Sequence, residues 1–181
     1  ILVLFGPRRR EGGLLAAVGV GPVAAQQEHT DGRIVWSYVV GAAAGALAGL
    51  VVGGVGGRLV MLVLRLSSPD SVIGIESDDG FTIGVVSSAT VGFLLAMGFL
   101  GAANGALYVA LRTSIPARLR IVLWPVFAAA VGGANVVHED GVDFQLLEPV
   151  WFAVASFVLL LAGAALIVVL LAERWLAVES P

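Results

Sequence analysis

Glycine recurs at every fourth residue through the apolar stretch GAAAGALAGLVVGGVGG, at Gly41, Gly45, Gly49, Gly53 and Gly57. In a water-soluble helix each glycine costs roughly 1 kcal/mol relative to alanine, so five in one phase would build a poor one. Lipid changes the balance. Acyl chains already solvate apolar side chains, and helices associate by close backbone approach, which a row of small residues permits. The stretch therefore reads as a transmembrane helix with a packing face, a glycine-zipper pattern, and the chain as an integral membrane protein.

Composition agrees where it bears on this choice. Hydrophobic residues make up 59% of the 181 positions and charged residues 13%, against about 25% charged in a soluble domain. Mean hydropathy is +0.99. The net charge of -3 and the lack of a basic patch give no reason to expect a nucleic-acid partner. With no cysteine there is no disulfide, thiolate metal site or cysteine nucleophile. All ten basic residues are arginine.

Three regions are expected: a leader over 1–32, a transmembrane domain over 33–176 and a tail over 177–181. The chain starts on Ile1, as a fragment, a processed chain or a mis-called start would. The leader reads as disordered or spurious. Its apolar run from Leu14 to Ala25, with Val23 and Ala25 spaced as at a signal-peptidase site, keeps a cleaved signal open as the other reading. That run is weakened by Gly19, Gly21 and Pro22 and is too short to span a bilayer.

Four spans follow, giving an all-α membrane protein. The first runs from about Ile34 to Gly57, with its helix continuing to Leu66 until SSPD stops it at Pro69. The second covers about Ile83 to Leu111. The third covers about Ile121 to Val137, with Pro125 in its first turn, where proline is tolerated. The fourth, about Val150 to Ala172, is the most leucine-rich and is expected to face lipid. Trp36, Trp124, Trp151 and Trp175 fall at span ends, as an aromatic belt requires, and Tyr38 and Tyr108 follow them.

Arginine placement orients the bundle. With the first span starting in the cytoplasm, Arg33, Arg112, Arg118, Arg120 and Arg174 lie inside and only Arg58 and Arg65 outside, so both termini are expected in the cytoplasm of a cell-membrane protein. The same orientation places Asp70, Glu76, Asp78 and Asp79 in one outer loop, and Glu139, Asp140, Asp143 and Glu148 in the other.

The second span repeats the small-residue code more loosely, at Gly84, Ser88, Gly92 and Ala96, and again at Gly101 and Gly105. Packing of the first two spans on each other is the leading expectation, and self-association between protomers the alternative. Asn104 reads as interhelical glue, while Asn135 lies at another depth and should not bond it.

The outer loops hold the remaining candidates. VIGIESDDGFTIGV alternates Ile73, Ile75, Phe81 and Ile83 around Ser77-Asp78-Asp79-Gly80, the pattern of a short β-hairpin. Arg58 and Arg65 share one helix face at the outer end of the first span. They read as snorkelling residues paired with Glu76, Asp78, Asp79, Asp140 or Asp143, or alternatively as an anion or lipid-headgroup site. His138, Glu139, Asp140 and Asp143 are the one place where a histidine and several acids crowd together and could hold a cation, but the preferred reading is a solvated loop that pairs with Arg58 and Arg65, and no metal is assigned. Both loops fail the calcium-loop pattern, because Val86 and Leu147 stand where its glutamate is needed.

The stretch GRLVMLVLRL, the SDDGFTIG loop and the HEDGVDFQLLEP segment together resemble an uncharacterised family of small four-span integral membrane proteins of actinobacterial type. The resemblance covers about Gly53 to Trp175. It implies the four-span architecture and supplies no activity, cofactor or site residue.

No general base, nucleophile, nucleotide loop or zinc-protease motif is present, so an enzyme is not expected and no cofactor is assigned. The expected role is a non-catalytic membrane subunit or scaffold, with membrane lipids and itself or another membrane protein as partners. A small oligomeric channel or transporter is the alternative.

Overall fold

The computed structural model describes residues 20–69, 74, 88–136 and 149–178, and within them the chain is helical with no strand. Contacts divide the chain into two units, Ile1–Trp36 and Ser37–Pro181. Helix α1 (Val20–Ala48) begins well before Ile34, the expected start of the first span. A π-helical segment, Gly49–Gly56, follows it, then α2 (Gly57–Ser67), α3 (Ser88–Leu111), α4 (Arg120–Val136) and α5 (Val150–Val178). Two 3-10 turns, Arg112–Ser114 and Ala117–Leu119, join α3 to α4.

Four helical stretches are long and apolar enough to cross a bilayer: Gly32–Ser67, Ser88–Ser114, Ala117–Asn135 and Val150–Val178. Between 17% and 28% of each one's most apolar window is buried, so most of every stretch presents apolar surface outward, as lipid contact requires. The β-hairpin expected around Asp78 and Asp79, and the start of the second span at Ile83, lie outside the described residues.

The expected stop of the first stretch is observed. α2 ends at Ser67, and Ser68 leaves the helix with φ -94° and ψ 156°, the extended geometry favoured before Pro69. The Ser68 hydroxyl donates to the Leu64 carbonyl at 2.8 Å, satisfying one of the last helix acceptors.

The π segment carries a structural consequence. Strict four-residue spacing drifts about 40° per step around an α-helix. The wider π turn takes more residues, so four of them rotate less and offset that drift. All five glycines of the row accordingly look toward α3. At Gly57 the helix tightens again, its N–H shared between the Gly53 and Gly54 carbonyls.

The α3 face that meets this row is one residue out of phase with part of the expected code. Met97, Gly101, Gly105 and Val109 make the contact. Ser88, Gly92 and Ala96 are exposed, and a Cβ on Gly92 would meet nothing within 4 Å. Residues spaced by four share a face, so a one-residue offset turns the Gly92 row by about 100° away from the first stretch.

Two expectations are corrected further along the chain. Pro125 lies inside α4, beyond its first turn, and removes the N–H that would have bonded the Ile121 carbonyl. Helix α5 is not only lipid-facing: Leu159 and Leu170 are exposed, and the helix also packs against each of the other stretches. Its Leu160 packs at Gly56, its Leu161 at Gly132 of α4, and its Glu173 side chain bonds Tyr108 of α3. The physical reason is the small-residue face beneath the leucines. Ala153, Ala165 and Ala172 are almost wholly buried, and Ala165 and Ala172 join the core with Val168 and Val169.

Candidate functional site

Two places in the molecule bring unusual groups together, the glycine face and the Glu173 end of α5. At the glycine face, backbones meet with no side chain between them. A Cβ on Gly45 would fall onto the Gly101 carbonyl oxygen, and one on Gly101 onto the Gly45 carbonyl oxygen. Gly105 stands in the same relation to the Gly41 carbonyl, and Gly49 to the Met97 carbonyl. The approach relaxes beyond Gly49. A Cβ on Gly53 would lie 3.4 Å from Met97 Sδ, and one on Gly57 would lie 3.5 Å from Phe93 Cζ, both ordinary contacts.

Arg58 lies at this looser end, its guanidinium carbon 4.9 Å from the centroid of the Phe93 ring. That is cation–π distance. Its Nε and Nη2 atoms are shielded from solvent. Arg65 is also half-buried. The acids assigned to them, Glu76, Asp78, Asp79, Asp140 and Asp143, lie outside the described residues, as do His138 and Glu139. Among the described residues no three His, Asp or Glu side chains gather into a potential metal site.

The second place is a polar network shared by three helices. Asn104, Tyr108 and Arg112 are spaced by four along α3 and the turn that follows it, so they line one face. Arg120 and Trp124 repeat the spacing on α4. Glu173 comes from the last turns of α5. Its Oε1 accepts from the Tyr108 hydroxyl at 2.7 Å and from Arg120 Nη1 at 3.0 Å, and lies 3.4 Å from Arg112 Nε. Arg120 is fixed from behind, because its Nε donates to the Ile115 carbonyl at 3.1 Å. Below this, Trp124 Nε1 donates to Asn104 Oδ1 at 3.0 Å, and the Trp124 ring lies 5.3 Å from that of Tyr108. Asn104 thus bonds across helices as expected, while Asn135 donates to the Val131 carbonyl of its own helix.

Trp124 and Tyr108 correct the aromatic-belt reading. They are 2% and 0% exposed, and sit inside the bundle instead of at a lipid interface. Their polar tips explain the placement, since each finds a side-chain partner on another helix and so satisfies the requirement for burial. Trp151, at 71% exposure, keeps the outward position expected of a belt residue.

Glu173 was not singled out by sequence reasoning. It falls just past Ala172, where the fourth span was expected to end, and the arginines that hold it had been read only as topology signals. The legible signal was the pair of i, i+4 polar rows on α3 and α4, which left two arginines on the inner faces in need of a counter-charge.

Chemically, Glu173 Oε1 is committed to its three partners. One carboxylate oxygen is shared by a hydroxyl and two guanidinium groups. This arrangement ties three helices together by charge-assisted bonds, and it offers no base aligned on a nucleophile. Against known protein families, characterised proteins and solved structures, the chain shows no match.

Proposed function

We propose that the chain is a non-catalytic subunit or scaffold of a cell membrane, whose first two spans pack through the glycine face and whose last three are tied by Glu173. The observation that carries this reading is that the inward-facing polar side chains of α3, α4 and α5 bond one another. A catalytic or transport site needs such groups aimed at a substrate; a packing module needs them paired. Backbone contact along Gly41, Gly45 and Gly49 supports the same role, because it leaves the first span little freedom to rearrange. The apolar outer faces are then available to lipid or to a partner span.

Purification in a mild detergent tests the proposal. A second membrane protein co-eluting in fixed ratio is the expected result. Ion flux into liposomes containing the purified chain alone would contradict it in favour of a small oligomeric channel.

A further inference from the structure

The end of the bundle that carries Glu173 has more positive charge than it neutralises. Within the unit Ser37–Pro181, Arg112, Arg118, Arg120 and Arg174 lie on the elements that meet at this end, and Glu173 is the one carboxylate among its described residues, an excess of three charges. Counting Glu179, which lies outside the described residues, still leaves two. The donor inventory shows the same imbalance. A guanidinium has five N–H donors. Arg120 uses Nε and Nη1, and Arg112 uses only its Nε side. Arg118 and Arg174 are exposed and meet no acceptor among the described residues.

Topology sorting accounts for arginines near a span end, but it acts on charge alone. It does not require two of them, from different helices, to converge on one oxygen, nor Arg120 to be drawn in to 15% side-chain exposure. Convergence of that kind brings two guanidinium groups within reach of one oxygen. Tetrahedral phosphate oxygens match guanidinium planes through paired N–H bonds. Thr113 and Ser114, exposed in the turn between Arg112 and Arg118, add hydroxyl donors at the same level.

We infer that Arg112, Arg118, Arg120 and Arg174 form a binding site for a phosphate group, presented at the bilayer surface by an anionic phospholipid or as free phosphate. Glu173 acts in it as a positioning residue, holding Arg112 and Arg120 together without engaging their remaining donors. Basic pockets between transmembrane helices are suited to headgroups for this reason.

The test is native mass spectrometry of the full chain released from vesicles of equal phosphatidylglycerol and phosphatidylcholine, with inorganic phosphate titrated onto the protein in phosphatidylcholine nanodiscs as a second arm. Retention of phosphatidylglycerol over phosphatidylcholine by about tenfold, equivalent to 1.4 kcal/mol, is expected if the source is lipid. Saturable phosphate binding in the second arm assigns the site to a soluble ion. The double variant Arg118→Gln/Arg174→Gln touches none of the Glu173 bonds, so it should fold normally and lose whichever binding is seen. Arg118→Lys/Arg174→Lys keeps the sorting charge and should recover only part of it. No lipid preference together with no phosphate binding, or binding unchanged in the glutamine variant, would overturn the assignment.

Discussion

Gly45 offers a test in which the sign of the effect separates two physical arguments. Helix propensity alone says Gly45→Ala should stabilise the helix by roughly 1 kcal/mol. Packing says the reverse. The new Cβ would overlap the Gly101 carbonyl oxygen and lie 2.8 Å from its carbon and 2.9 Å from the Gly105 nitrogen. These are backbone atoms and cannot rotate aside. Restoring ordinary separations of ~3.5–4.0 Å to that oxygen requires α1 and α3 to part by roughly 1.5 Å or more, which loosens every contact along the glycine row. Overpacking of this kind costs about 1–3 kcal/mol. Gly92→Ala is the matched control, since it carries the same propensity gain on α3 and its Cβ meets nothing within 4 Å. The propensity contribution cancels in the comparison, so Gly45→Ala should be less stable than Gly92→Ala by about 1–3 kcal/mol. Unfolding of both variants in one detergent, by heat or by denaturing detergent, measures the difference. Equal stability would refute the claim that the two backbones touch.

The Glu173 network yields two further expectations. Glu173→Ala removes the counter-charge of the mostly buried Arg120 and should destabilise the bundle by about 1–3 kcal/mol, a range discounted for the partial exposure of the carboxylate; Glu173→Gln, which keeps an acceptor for Tyr108, should cost less in the same unfolding assay. Trp124→Phe and Asn104→Ala, combined in a double-mutant cycle, should show a coupling of about 0.6–1.7 kcal/mol for the bond between them; additive losses would show that the bond contributes nothing.

Much of the architecture was legible in the sequence, because a bilayer imposes length and apolarity on each crossing and leaves few alternatives. The break at Pro69 and the turn between Arg112 and Arg120 followed from proline and polar residues that a span excludes. What was not legible concerns rotation about helix axes. Gly92 and Gly101 carry the same local code, and only the docked partner decides which row is inward. The leucines of α5 suggested lipid, although Ala165 and Ala172, seven residues apart on one helix face, were a sign of close packing. Trp124 and Tyr108 sit where a belt would place them along the helix and point the other way around it, toward Asn104 and Glu173. The arginines illustrate the same limit. Read one at a time they indicate a side of the membrane; read on their helices, Arg112 and Arg120 require an acid between them.

Whether four helices cross the membrane can be measured directly, because residues 1–181 contain no cysteine. Single cysteines at Ser77, Ser114 and Gln145 would be treated with a membrane-impermeant thiol reagent in intact cells and again after the membrane is opened. Ser77→Cys and Gln145→Cys should react in intact cells, and Ser114→Cys only after opening. Equal reaction of all three in intact cells would contradict the four-span arrangement.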